Sequence, residues 1–184
     1  REAEELYRKV LSLNPRFVQG LANLGLVLDR LHRPGEAVEV YRRALEIQPQ
    51  EGPIYRRLGK SYMDLSAFDP ARQAYLKAVE LGSAGAGVQH DLGYISEQQG
   101  DLAAAAGYYT QALEIEPDRA ESHFRLGGIR QGLGQDGALG HLRRAIELDP
   151  DHVGAHYSLA QALAQRGEAE AAADRIAELE KESA

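Results

Sequence analysis

The sequence contains no cysteine. That excludes disulfides and thiolate metal sites, although it does not choose between compartments. There is no excess of positive charge either: 28 acidic residues outnumber 21 basic ones, and the net charge is −7. A protein that grips nucleic acid needs a basic footprint to displace phosphate counterions, so that class is disfavoured. No apolar run approaches the roughly 20 residues of a membrane-spanning helix. Neither an initiator methionine nor a signal-like segment precedes the helical pattern that begins at Arg1. The chain therefore reads as an excised piece of something longer. It is expected to be a soluble fragment of open compartment, with the cytoplasm favoured.

What the chain does have is a repeat. Leu21, Leu24, Gly25, Leu28, Ala37, Tyr41, Ala44 and Pro49 recur thirty-four residues later as Tyr55, Leu58, Gly59, Tyr62, Ala71, Tyr75, Ala78 and Ser83. Every slot but the last keeps its chemical character, and the arithmetic continues to the end of the chain. A period of this length with two apolar-periodic halves marks stacked helical hairpins rather than one globular core. The 43% hydrophobic content suffices if each repeat shares its buried face with its neighbours.

The spacing has a physical basis. Leu24 and Leu28 are one helical turn apart and share a face. Gly25, Gly59, Ala37 and Ala71 are small so that the paired helices approach, and the aromatic after each alanine fills the gap. Pro49, Pro117 and Pro150 stop one helix and redirect the chain. This pattern resembles the tetratricopeptide repeat, whose large-x-x-Leu-Gly-x-x-Tyr, Ala-x-x-x-aromatic-x-x-Ala and Pro signature it follows. The resemblance implies an all-α fold, a right-handed superhelical solenoid of antiparallel helix pairs, forming a single domain over residues 1–184. Its parts are a half-repeat over 1–17 and repeats over 18–51, 52–85, 86–119, 120–152 and 153–184. Repeat four loses a residue in its turn. Counting back from Pro150 places Ala145, Leu142 and Ala138 in its second-helix slots, and Ala172, Ile176 and Leu179 occupy the equivalent part of repeat five.

Local signals refine the boundaries. Asp69 before Pro70 reads as an N-cap with a first-turn proline, and Asp118 and Asp151 read as caps of the first helices of repeats four and five. Residues 82–87, Gly-Ser-Ala-Gly-Ala-Gly, replace a proline corner with a loose joint. They follow a helix, not a strand, and lack the Lys-Ser/Thr of a phosphate loop. Gly128, Gly132 and Gly140 fall outside the repeat pattern, and each helix-interior glycine forgoes ~1 kcal/mol relative to alanine. Repeat four is therefore expected to exchange its amide protons earliest among the internal repeats.

In the resembled family the first helices line a concave ligand face, which implies positions two, five, nine, twelve and thirteen of each repeat. From these come the candidate ligand-binding residues Arg56, Lys60, His90, Tyr94, Phe124, Tyr157 and Gln161, with Gly128 leaving room among the aromatics. Arg56 and Lys60 form a basic spot in an acidic protein. A peptide with an acidic residue beside an apolar anchor fits such a surface. The plainer reading is a solvated pair, with Lys60 bound to Asp64 one turn on. Arg125 joins the candidates from the carboxylate clamp of chaperone-binding members. The other clamp positions hold Arg56, Lys60, Asp91 and Glu121, and the two acids stand where a carboxylate would sit, so the clamp itself is not expected.

His152 and His156 have a metal-compatible spacing but lack the accompanying carboxylate. His156 and His123 sit in the slot that packs between helices. No Ser-His-acid set can be assembled. No catalysis, cofactor or metal is expected. The residues point to a protein-interaction scaffold that holds a partner's peptide or helix in its groove. The alternatives are self-assembly through the terminal repeats (Arg1 onward and the final helix, 168–180) and service as the targeting arm of a larger enzyme.

Overall fold

The computed structural model describes residues 1–165, and all regular structure in them is α-helical. The first compact unit, Arg1–Ala84, contains α1 (Glu2–Leu13), α2 (Val18–Arg30), α3 (Pro34–Ile47), α4 (Gly52–Asp64) and α5 (Phe68–Glu80). The second, Gly85–Ala184, contains α6 (Ala86–Gln98), α7 (Leu102–Ile115), α8 (Ala120–Gly132), α9 (Ala138–Leu148) and α10 (Val153–Gln165). In the first unit α2 packs on α3 and α4 on α5, while α1 covers α2 and α3 covers α4. The second unit repeats the scheme with α6 on α7, α8 on α9, and α10 against α9 and α8. The boundary between the units falls inside the glycine-rich joint.

Three hairpins are locked by a ring on a glycine. A methyl group built at Gly59 would fall 2.6 Å from the Tyr75 ring, and one at Gly93 would fall 2.8 Å from Tyr109. Gly25 faces Tyr41 in the same way. The glycine thus makes room for the partner helix's aromatic ring, where the sequence suggested room for its backbone. Tyr41, Tyr75 and Tyr109 are all but fully buried. In repeat four Leu142 takes that slot, 2.9 Å from a methyl at Gly127. The register counted from Pro150 therefore holds, and the deficit falls at the start of α9. That helix has only 11 residues, against 13 in α5 and 14 in α3 and α7.

Helix ends follow two rules. The residues before Pro15, Pro49, Pro117 and Pro150 are Asn14, Gln48, Glu116 and Asp149, with φ from −137 to −130° and ψ from 87 to 93°. A following proline forbids the helical basin there, so the helix stops. The first helices end instead in a left-handed residue at repeat position fifteen: His32, Ser66, Gly100 and Gly134. Around Ser66, its own N–H bonds to the Met63 carbonyl (2.8 Å) and that of Ala67 to Tyr62 (2.9 Å). This double closure is a Schellman motif, and the other three turns repeat it. The same device ends α5, with Gly82 at φ 69° and Ser83 N–H bonded to Ala78 at 2.8 Å. Gly82 therefore does by chain reversal what proline does at the other corners.

Three capping expectations are corrected. Helix α5 starts at Phe68, placing Asp69 inside its first turn. Asp118 does not cap α8; it is the partner of Arg144 at 2.6 Å. At α10 the cap is His152, whose Nδ1 accepts from Ala155 N–H at 3.2 Å, rather than Asp151. Ala172, Ile176, Leu179 and the final helix expected over 168–180 lie outside the described residues.

Candidate functional site

The second unit gathers three of the candidate residues, Tyr94, Phe124 and Arg125, on the first helices α6 and α8. The Arg125 guanidinium stands over two rings, 5.5 Å from the centre of Tyr94 and 5.6 Å from that of Phe124. Two carboxylates hold it from either side, Glu121 at 2.7 Å and Glu97 at 3.4 Å. Glu97 in turn accepts a hydrogen bond from the buried Tyr109 hydroxyl at 2.9 Å. The scaffold tyrosine thereby fixes a carboxylate that fixes the arginine. Burial alone would raise the Glu121 pKa. Hydrogen bonds from Arg125 and His152 outweigh it and hold the carboxyl below the ordinary value.

Beside this network lies a pocket of about 230 Å³ lined by Leu102, Phe124, Ile129, Gly128 and Gly132, with Glu97, Arg125 and Ser158 at its polar edge. Gly128 and Gly132 face open space, so the volume exists because two side chains are missing. It is smaller than the ~300–1,000 Å³ of a typical small-molecule site. It suits one apolar side chain.

The remaining candidates have other surroundings. The His90 ring is half-buried, its Nδ1 shares a hydrogen bond with Ser122 Oγ at 2.9 Å, and its face lies 5.2 Å from the Tyr109 ring. Burial, with Arg119 nearby, pushes its pKa down. Tyr157 is 58% exposed, and its hydroxyl accepts from Gln161 Nε2 at 3.1 Å on the same helix. Arg56 and Lys60 lie in the first unit. Lys60 is paired with Asp64 at 2.6 Å, the plainer reading for that residue, whereas exposed Arg56 has no ion pair among the described residues.

The two histidines with metal-compatible spacing, His152 and His156, are engaged with different partners. His123 and His156 each reach back to the carbonyl of a corner proline, Pro117 at 2.9 Å and Pro150 at 2.6 Å. His152 uses both nitrogens, one on Ala155 N–H and one on Glu121 at 3.1 Å. Among the described residues no three His, Asp or Glu side chains converge as metal ligands. No helix there is long and apolar enough to cross a membrane.

A second concavity escaped the sequence reading. In the first unit, Leu45, Tyr55, Leu58, Tyr62 and Ala74 line an open pocket of about 410 Å³ rimmed by Arg42, Glu46, Pro70 and Gln73. Tyr55 and Tyr62 occupy slots where Leu21 and Leu28 are fully buried. A tyrosine is longer and carries a polar tip, so it leaves part of its ring in solvent. That exchange of leucine for tyrosine was the available signal.

Comparison with known proteins agrees with this architecture. Two models of the tetratricopeptide repeat match the chain, one over residues 1–52, 56–120 and 90–132 and the other over 136–184. Among curated proteins, BBSome complex member BBS4 of Mus musculus is 30% identical over 132 residues, covering 69% of this chain and 24% of that protein. Protein O-mannosyl-transferase TMTC1 of Mus musculus is 27% identical over 122 residues, 64% of this chain and 13% of that protein. The chain thus spans a quarter or less of these relatives. The crystal structure of YrrB, described as a TPR protein with an unusual peptide-binding site, superposes with a TM-score of 0.84. It covers 96% of this chain and 91% of its own at 22% identity, which speaks for the fold alone.

Proposed function

The chain belongs to the tetratricopeptide repeat family, and from that premise we propose that it is a non-catalytic protein-interaction scaffold whose first-helix face holds a partner peptide through an apolar anchor. The pocket beside Phe124 and Arg125 carries the reading. It is apolar within, polar at one edge, and sized for a single side chain. Preorganisation adds to its worth. Tyr109, Glu97, Glu121 and the two rings already hold Arg125 in one pose, so a ligand need not order it. An aromatic or large aliphatic residue entering between Phe124 and Ile129 would bury its surface at about 25 cal/mol per Å².

The charge preference rests on a different residue. Arg125 is neutralised by its two carboxylates, and Lys60 by Asp64. Arg56, exposed and without an ion pair among the described residues, is available on a first helix of the first unit to an acidic residue of the partner. The second unit thus offers an apolar anchor site, and the first offers a cation whose attraction to an acid is salt-sensitive.

The test is a peptide selected from a random display library on the intact chain and titrated by fluorescence polarisation. Gly128→Leu fills the pocket from a site where a side chain meets nothing, and it should abolish binding while leaving the helical spectrum intact. Arg56→Ala should weaken binding and flatten its salt dependence. Selected peptides that bind Gly128→Leu as tightly as the parent would remove the anchor from the account.

A further inference from the structure

The polar edge of the pocket beside Phe124 keeps hydrogen-bonding capacity that the second unit does not use. Glu97 accepts from Tyr109 on Oε2 and from Arg125 on Oε1, whereas an ionised carboxylate offers about four acceptor positions. The Ser158 hydroxyl, at the same edge, has no hydrogen bond among the described residues. Both residues are half-buried, so solvent reaches them while the pocket is open. A purely apolar anchor would shut that solvent out and give neither group a partner, which costs free energy. An open acceptor and an open donor thus stand at the rim of an apolar slot.

We propose that the anchor of the partner peptide is a tyrosine, its ring in the pocket and its hydroxyl donating to Glu97 and accepting from Ser158. The assignment rests on the scaffold reading above and names the side chain that its pocket takes. Leucine and phenylalanine bring no polar atom to the edge. Tryptophan brings an N–H that donates but cannot accept, whereas a phenol does both. Lysine would set a second cation beside Arg125 and fill the apolar part with a thin stem. Phenol on carboxylate is also a pairing that the chain builds for itself, at Tyr41–Asp29 (2.8 Å) and Tyr109–Glu97 (2.9 Å). The aromatic wall is fixed in advance, with the Phe124 ring centre 4.5 Å from that of His152. A phosphate on the anchor is excluded by charge, because Glu97 and Glu121 already share the one guanidinium of Arg125.

The probes are N-acetyl-tyrosinamide and N-acetyl-phenylalaninamide, titrated into the isotope-labelled intact chain and followed at the Gly128 and Gly132 amides. The tyrosine amide is expected to bind at least about fivefold more tightly. Ser158→Ala should narrow that preference while leaving the phenylalanine amide unaffected, and the phosphotyrosine amide should bind more weakly than the tyrosine amide. Equal affinity for the two unmodified amides, or tighter binding of the phenylalanine or phosphotyrosine amide, overturns the tyrosine assignment and leaves the anchor pocket standing. If neither amide shifts Gly128 and Gly132, or if Gly128→Leu leaves both titrations unchanged, the pocket falls together with the assignment.

Discussion

The Tyr41 hydroxyl donates to Asp29 Oδ2 at 2.8 Å across its own hairpin. Asp29 also accepts from Ser61 of the next repeat at 2.8 Å, so a single carboxylate joins two repeats through a buried ring. Two repeats on, Tyr109 bonds Glu97 in the same register, and Glu97 reaches Arg125 of the next repeat. A hydrogen bond to a charged group contributes about 1.5–3 kcal/mol. Tyr41→Phe and Tyr109→Phe should each lower stability by roughly 1–2 kcal/mol in urea unfolding. Tyr109→Phe should also weaken peptide binding through the loosened Arg125, an effect that Tyr41→Phe should lack.

The left-handed turn residues give a prediction of opposite sign. Ser66 and His32 hold φ of 57° and 56° without being glycine, a conformation costing an L-residue roughly 1–2 kcal/mol. Ser66→Gly should therefore raise the unfolding free energy by about 1 kcal/mol, and Gly100→Ala should lower it by a similar amount. Thermal denaturation of the pair decides whether this slot is under backbone strain.

Glycines sort by what surrounds them. At Gly59 a methyl group meets the Tyr75 ring, so Gly59→Ala should destabilise by about 1–3 kcal/mol. Gly140 lies in α9 with nothing nearby, so Gly140→Ala should stabilise by about 1 kcal/mol. Hydrogen exchange should show repeat four opening before repeat two, and Gly140→Ala should narrow the difference.

Acid should act through His141. Its Nδ1 lies 2.9 Å from Nδ1 of His123. Since His123 Nε2 must donate to the Pro117 carbonyl, His123 Nδ1 is the acceptor and His141 the donor. Burial, with Arg130 and His123 nearby, brings the His141 pKa down from 6.5 to about 4. The unfolded chain thus binds more protons between those values, so stability is complete above about pH 6.5 and declines towards pH 4. His141→Gln should flatten that decline in midpoint-versus-pH measurements, and NMR titration should find the imidazole neutral at pH 5.5.

The repeat, its register and the corner prolines were legible in the sequence because each rests on an obligate size or backbone restriction. Leu142 could be placed by counting back from Pro150 for that reason. The turn at position fifteen was hidden wherever serine or histidine stands for glycine. The start of α5 was misread because Asp-Pro serves a first turn as well as a cap. In the candidate site, the residue types at Tyr94, Phe124, Arg125 and Gly128 could be named in advance. Their pairing could not, since Glu97, Glu121 and Asp118 all offer carboxylates and only rotamers and helix spacing decide which arginine each one takes.

The most direct test of the binding account is amide chemical-shift mapping of the labelled chain with its selected peptide. The account predicts that the largest perturbations in the second unit fall around Phe124, Gly128 and Gly132, with a smaller set around Arg56. Perturbations concentrated instead on Leu45, Tyr62 and Ala74, around the open pocket of the first unit, would contradict it.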